Sequence, residues 1–121
     1  MGKIQKFTDL KAWQEAHQLV VGMYKETEIF PTNEQFGLTN QIRRAAVSIS
    51  SNIAEGFSRQ TRADKSRFYV MAQGSTTELQ SQLILARDIG YLSREKFDVL
   101  ASRSVTVHKL LTGLIKSIKE S

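Results

Sequence analysis

The side chains best suited to chemistry are concentrated in the stretch QIRRAAVSISSNIAEG at residues 41–56, and in the shorter stretch GSTTEL at residues 74–79. Both look helical from their surroundings, yet both are rich in hydroxyl and amide groups, which compete for backbone hydrogen bonds. Such side chains offer hydrogen bonds and ion pairs between helices, or contact with a ligand. The candidates for a polar network between helices or subunits are Arg43, Arg44, Ser48, Asn52, Glu55, Ser75 and Glu78.

Several readings of these residues stay open. Arg44 either lies off the core and meets phosphate or a partner, or pairs with Glu55 or Glu78 within one subunit or across a subunit boundary. The small residues Gly74 and Ser75 are expected to let the second and third helices approach closely.

Catalytic and metal chemistry find little support in the sequence. Metal sites in helical bundles favour Glu-x-x-His pairs, and neither Glu55 nor Glu78 has a histidine three residues on. His17 and His108 lack a recognisable nucleophile, so His17 is expected to be a core or interface histidine. Gly74 lies within a helical pattern and not in a phosphate-binding loop after a strand. The sequence therefore predicts no enzymatic activity, no metal and no cofactor.

A cluster of basic residues follows the first polar stretch: Arg59, Arg62, Lys65 and Arg67, diluted only by Asp64. The formal net charge of +5 also favours an acidic partner, nucleic acid first. The cluster is either a phosphate-binding surface or a solvated charged loop, and the sequence leaves both open. Only Phe57 and Phe68 interleave with it, so base stacking has little support.

Length and composition predict one domain spanning residues 1–121, with 40% apolar residues to build its core. The absence of cysteine excludes disulfides and cysteine-ligated zinc. No apolar run approaches the roughly 20 residues that a membrane-spanning helix needs. The N-terminus lacks the apolar region of a signal peptide. We expect a cytoplasmic protein with no membrane contact.

Sparse proline and glycine predict long helices with short connections. The first helix is predicted from Thr8 or Asp9 to the Phe30-Pro31 pair, and the second from Leu38 or Thr39 to Glu55, with Gly56 as its stop. The third should run over residues 62–89, after a capping box formed by Thr61 and Asp64, and close at Gly90. Ser93 should open the fourth.

Apolar residues recur at steps of three and four along each helix, which predicts the core faces. The predicted stripes are Leu10, Trp13, His17, Val20, Tyr24 and Thr27; Leu38, Ile42, Ala45, Ala46, Ile49 and Ile53; Phe68, Ala72, Ser75, Leu79, Gln82, Ala86 and Ile89; and Phe97, Leu100, Ser104, Val107, Leu111, Leu114 and Ile118. Short loops make consecutive helices alternate in direction. The fold class is therefore all-α, an up-down-up-down four-helix bundle.

Several motifs together carry a family resemblance: FxxLxxWxxAH at residues 7–17, RRAAVSIxxNIAEG at residues 43–56 and FYVMAQGS at residues 68–75. The chain resembles the proteins encoded within intervening sequences of bacterial 23S rRNA genes. The resemblance implies a left-handed bundle assembled into a ring, typically a homopentamer. It also implies a distant relation to the accessory protein of diversity-generating retroelements, a basic ring that associates with a reverse transcriptase and nucleic acid.

Two functions follow from these observations as hypotheses. The first is a non-enzymatic scaffold that contacts RNA or DNA, with ribosomal RNA or a reverse transcriptase as partners. The second is a protein-binding oligomeric adaptor with no nucleic-acid role. The residues expected at the boundary between subunits are the apolar ones outside the predicted stripes: Val21, Val47, Val70, Leu110 and Ile115.

Overall fold

The computed structural model describes residues 3–120, and within them the protein consists of four α-helices and no strand. The helices are α1 (Lys11–Thr27), α2 (Leu38–Ser58), α3 (Arg62–Asp88) and α4 (Arg94–Glu120). Two single-turn 3-10 helices, Phe7–Asp9 and Thr32–Glu34, precede α1 and α2. The all-α, four-helix prediction is confirmed.

The predicted capping residues of α3 and α4 are in place. The hydroxyl of Thr61 accepts a hydrogen bond of 3.1 Å from the backbone N–H of Asp64. Gly90 follows α3 with a φ of +85°, the left-handed conformation that favours glycine at a helix end. The hydroxyl of Ser93 accepts a bond of 3.2 Å from the N–H of Lys96. These short-range signals therefore placed three helix ends correctly.

Other predicted ends were wrong. The chain turns through the 3-10 helix Phe7–Asp9 before α1 begins at Lys11, so α1 starts later than predicted and also ends earlier, at Thr27. By contrast, α2 is longer than predicted, because it continues beyond Glu55 to Ser58. Gly56 is an interior residue of α2 and not its stop.

Each helix packs against two others: α1 and α3 both contact α2 and α4, and within the described residues α1 does not contact α3. Apolar side chains from all four helices fill the space between them, including Leu19, Ile49, Leu83 and Leu111, which have no exposed surface. The predicted stripe of α2 is buried along its whole length. Every predicted core residue of α2 therefore faces the core.

The predicted core face of α1 was only partly right: Thr27 is buried, and Leu10, Trp13 and Val20 pack against the edge of the core. The buried residues of this helix are Ala12, Ala16, Leu19, Met23 and Thr27. The other predicted members lie to one side of that face: Leu10, Trp13 and Val20 are half-buried, and His17 and Tyr24 are exposed. Both series follow steps of three and four, so spacing alone could not separate them. The alanines face the core because small side chains let α1 approach its neighbours closely.

The stripes of α3 and α4 were predicted more closely. Of the predicted α3 residues, Ala72, Leu79, Gln82 and Ala86 are buried, but Tyr69 and Thr76 replace Phe68 and Ser75, and Ile89 is exposed. The predicted and the observed series both repeat every seven residues and share Ala72, Leu79 and Ala86, so spacing alone could not decide which neighbours complete the buried face. In α4, Leu100, Ser104, Val107 and Leu111 are buried as predicted.

The close approach of α2 and α3 depends on Gly56 and not on Gly74. A Cβ added at Gly56 would lie 2.7 Å from Cε1 of Tyr69 and 3.1 Å from Cβ of Phe68. A Cβ added at Gly74 would meet nothing within 4 Å. The prediction for Gly74 was therefore wrong: it is an exposed glycine in mid-helix, and no contact within the subunit requires it.

Candidate functional site

Three residues of the predicted polar network meet between α2 and α3. The hydroxyl oxygens of Ser48 and Ser75 lie 2.8 Å apart, and either can donate. The side-chain amide of Asn52 donates to the carbonyl of Ser48 at 2.8 Å and to its hydroxyl at 3.1 Å. This serine–asparagine cluster joins two helices near their middle, and it satisfies the groups that make the stretch look unusual in the sequence.

The two carboxylates of the predicted network lie outside this cluster. Glu55 forms an ion pair of 3.0 Å with Arg59, one turn further along the chain. Glu78 accepts a hydrogen bond of 3.3 Å from the side-chain amide of Gln82. Each carboxylate is thus engaged with a residue four positions away.

The two adjacent arginines have different surroundings. Arg43 turns toward α1, where its Nε donates to the hydroxyl of Thr27 at 2.8 Å and its guanidinium lies 4.6 Å from the ring centre of Tyr24. Arg44 is exposed and makes no ion pair with Glu55 or Glu78 within the described chain. Glu55 lies eleven residues further along α2, which is about 16 Å of helix and beyond the reach of the side chain. A pairing of Arg44 across a subunit boundary stays a prediction.

Arg44 and Glu78 nevertheless share one groove. It has a volume of about 480 Å³ and is lined by Gln41, Arg44, Ala45, Ser48 and Glu78, so it runs along the outside of the α2–α3 contact. The groove thus presents one cation and one anion that are not paired with each other.

The structure divides the predicted basic cluster into engaged and free cations. The ammonium of Lys65 donates to the carbonyl of Phe57 at 2.6 Å, which satisfies a carbonyl in the last turn of α2. Arg59 and Arg67 both lie over the ring of Phe68, with guanidinium carbons 4.5 Å and 4.6 Å from its centre. Arg67 also pairs with Asp64 at 3.7 Å. Arg59 and Lys65 therefore brace the connection between α2 and α3, whereas the contacts of Arg67 lie within α3.

Arg62 is the exception. It occupies the first position of α3, is exposed, and makes no ion pair or hydrogen bond within residues 3–120. Its charge is available to a ligand without breaking a contact. Within the cluster, Arg62 is therefore the residue best placed to meet phosphate.

Within the described residues, no three histidine, aspartate or glutamate side chains are grouped as metal ligands. His17 is exposed and stacks on Trp13, with ring centres 4.8 Å apart and planes 11° from parallel. The prediction that His17 lies in the core was therefore wrong, and the prediction that it lies at an interface stays a prediction.

The clearest pKa shifts belong to groups away from these sites. A hydrogen bond of 2.9 Å from the hydroxyl of Tyr91 to Glu34 raises the pKa of Tyr91, because it stabilises the protonated phenol beside a carboxylate. Burial raises the pKa of Tyr69. Backbone N–H groups of Gln5 and Lys6 hydrogen-bond the carboxylate of Asp9 and lower its pKa. These shifts concern the fold and its helix ends.

The sequence reasoning missed a group of exposed apolar residues in and beside the connections: Phe36 is 88% exposed, Ile29 71% and Ile89 47%. Phe36 follows the 3-10 helix Thr32–Glu34, and Ile89 follows α3. The FGL motif at residues 36–38 contained the signal, because a large aromatic before a helix start is unusual when no core needs it.

These features describe a small all-α protein whose polar residues join helices and whose connection between α2 and α3 carries, within the described chain, one unengaged arginine, Arg62. Within residues 3–120, no helix combines the length and the hydrophobicity needed to cross a membrane. The chain belongs to the family of 23S rRNA-intervening sequence proteins, whose model matches residues 8–113.

The comparison of solved structures supports the same assignment. The chain is similar to a crystal structure of a protein with unknown function from the S23 ribosomal protein family of Bacteroides thetaiotaomicron VPI-5482, with a TM-score of 0.80 and 25% sequence identity. The likeness covers 87% of this chain and 95% of that one. No curated protein matches the sequence.

Proposed function

We propose that this protein is a non-enzymatic, ring-forming scaffold that contacts nucleic acid, ribosomal RNA first, through one basic end of a left-handed up-down-up-down bundle. The family to which the chain belongs supports the connection with ribosomal RNA. The distribution of charge along the bundle supports the mode of contact.

Contacts between side chains support the alternating direction of the helices. Ser48 meets Ser75, whereas Gly56, further along α2, lies against Tyr69, which comes earlier in α3. The order reverses in the same way between α3 and α4, where Gln73 donates to Thr112 and Gln80 to Ser104. In such an arrangement the connection between α2 and α3 shares one end of the bundle with the start of α1 and the end of α4.

The observation that carries the proposal is the charge at that shared end. Nine cations lie there beside five anions: Lys3, Lys6, Lys11, Arg59, Arg62, Lys65, Arg67, Lys116 and Lys119, against Asp9, Glu15, Glu55, Asp64 and Glu120. The opposite end has five cations and six anions: Lys25, Arg43, Arg87, Arg94 and Lys96, against Glu26, Glu28, Glu34, Asp88, Glu95 and Asp98. Charge that served only solubility would not need to be separated in this way. A ring of parallel copies would gather the basic ends on one face.

Only some of these cations are free to bind phosphate. Arg59 and Lys65 hold the connection between α2 and α3, and Arg67 pairs with Asp64 within α3, whereas Arg62 and Lys119 are exposed without such contacts. Lys116 makes a weak pair of 4.0 Å with Glu120 and is 75% exposed. Binding therefore needs no rearrangement of the helices.

Salt-dependent RNA binding tests this proposal. We expect the triple variant Arg62→Gln, Lys116→Gln and Lys119→Gln to weaken binding and to lower the slope of log K against log salt by about 2, since each lost phosphate contact removes roughly 0.7–0.9. The matched control removes three exposed cations away from the basic end, at Lys25, Arg94 and Arg103. Equal slopes for the two triple variants would contradict a basic-end site, because their net charges are identical.

The exposed apolar residues favour a second candidate, a protein-binding adaptor in which the positive charge is incidental. Phe36, Ile29 and Ile89 offer a partner protein apolar contacts, and a reverse transcriptase is one partner that the family resemblance suggests. This function gains support if neither RNA nor DNA binds with a measurable salt slope while Phe36→Ser abolishes capture of the partner.

A further inference from the structure

The predicted core residues of α1 that are not fully buried form a second stripe on that helix, at the edge of the core. Trp13, His17, Val20 and Tyr24 follow one another at steps of four, three and four, to one side of the buried alanines. Tyr24 is 42% exposed, and no charged residue occurs between Ala16 and Tyr24. A helix with two such stripes is suited to pack against two neighbours, one in the core and one outside it.

The outward face of α3 is also unusual. Val70, Gly74, Thr77, Ser81 and Ile84 recur at steps of four and three on the exposed side of this helix. Surface helices ordinarily present charged residues there, yet Glu78 is the single charged residue between Phe68 and Ala86. Gly74 leaves open space in the middle of the stripe.

We infer that the second stripe of α1 and the outward stripe of α3 are the two halves of one interface between copies of this chain. The aromatic side chains of α1 would fill the room above the small residues of α3. Because α1 and α3 do not touch within a subunit, the stripes lie on different sides of the bundle. Such a contact is heterologous, which is the kind that closes into a ring.

The charges beside the two stripes indicate that the partner in this interface is a second copy of the chain. Beside the α1 stripe, Tyr24, Arg43, Arg44 and Val47 line a hollow of about 470 Å³ that contains two arginines and no acid. The outward face of α3 supplies the complementary Glu78. Arg44 and Glu78 border the same groove within a subunit, so they lie at the same height along the bundle. A ring of parallel copies would therefore bring Glu78 of one copy level with Arg44 of the next.

The first test adds a side chain to the open space on α3. This interface rests on the self-assembly in the proposed function, so the mass of the wild-type protein is measured first by light scattering and sedimentation over a range of concentrations. We expect Gly74→Gln to raise the concentration at which the assembly dissociates by at least about tenfold. The matched control is Gly113→Gln on α4, another helical glycine with no atom within 4 Å of an added Cβ, and it should leave the mass unchanged.

The second test places charge in each half. His17→Glu should also weaken assembly, because His17 is an exposed member of the α1 stripe. Glu78→Arg and Arg44→Glu should each weaken it, and the double variant should recover most of the loss. Circular dichroism confirms that each variant is folded.

The outcomes separate the interface from the self-assembly on which it rests. A wild-type protein that stays monomeric at all concentrations would overturn the oligomeric scaffold and the interface together. An oligomer whose mass is unaffected by Gly74→Gln would overturn the interface alone. Disruption by His17→Glu but not by Gly74→Gln would place the α1 stripe against some surface other than α3, which also contradicts the inference.

Discussion

Replacing Gly56 with alanine tests the packing that brings α2 and α3 together. The added methyl group would lie 2.7 Å and 2.9 Å from two carbons of the Tyr69 ring, closer than carbon atoms approach in folded proteins. Tyr69 cannot move away easily, since it is only 1% exposed and belongs to the core. The helices must therefore shift apart, or the ring must leave its preferred rotamer.

Two opposing effects set the magnitude. Forcing an extra methyl group into a packed core costs about 1–3 kcal/mol. Alanine is a better helix former than glycine by about 1 kcal/mol, which offsets part of that cost. The same replacement at Gly113 carries only the favourable effect, because an added Cβ there meets nothing. The difference in unfolding free energy between the two variants should therefore isolate the clash, at about 1–3 kcal/mol.

Urea unfolding followed by circular dichroism measures both variants, at one protein concentration so that any assembly contributes equally. We expect Gly113→Ala to be slightly more stable than the wild type and Gly56→Ala to be the less stable of the two variants. A second change, Tyr69→Leu, should cost less in the Gly56→Ala background than in the wild type, because it removes the clashing ring. Equal stabilisation by both alanines would refute the close approach of α2 and α3 at this point.

Three further predictions concern individual contacts. A double-mutant cycle of Ser48→Ala and Ser75→Ala should give a coupling free energy of about 0.5–1.5 kcal/mol in urea unfolding, the usual net value of one hydrogen bond, and additive effects would contradict their direct contact. Lys65→Met should destabilise the protein by about 1–2 kcal/mol by removing the bond to the α2 carbonyl, whereas Arg62→Met should change thermal stability little. The pKa of Tyr91 is raised on folding, so the tyrosine of the unfolded chain loses its proton first as the pH rises. The contribution of Tyr91 to the free energy of unfolding is therefore full below about pH 10 and is lost as the pH rises through the folded pKa. Tyr91→Phe should reduce this alkaline loss of stability.

Sequence periodicity predicted α2 better than α1, and the reason is physical. The large apolar residues of α2 face one way, so its stripe had no competitor. In α1 a series of large side chains competes with a series that includes Ala12 and Ala16, and side-chain size favours the series that is not fully buried. A bundle that needs close helix approach buries alanine in preference to tryptophan. Only the neighbours of a helix, which the sequence does not reveal, can decide between two stripes of equal spacing.

The glycines show the same limit of prediction from sequence. Gly56, Gly74 and Gly90 all looked like punctuation or close approach in the sequence, yet one packs against a ring, one lies in open space and one ends a helix with a positive φ. The residue type permits each role, and the tertiary environment selects among them. The prediction succeeded at Gly90 because a helix end is a local event.

The basic cluster illustrates why a charged motif overstates a binding site. Counted in the sequence, Arg59, Arg62, Lys65 and Arg67 are equivalent. In the structure, Arg59 and Lys65 hold the connection between α2 and α3, and Arg67 pairs and stacks within α3. Neutralising all four would remove structure together with charge, and lost RNA binding could not be assigned to either cause. The free cations of the same end, Arg62 among them, separate the two effects, because their removal changes the potential that a phosphate meets and leaves the helix ends intact.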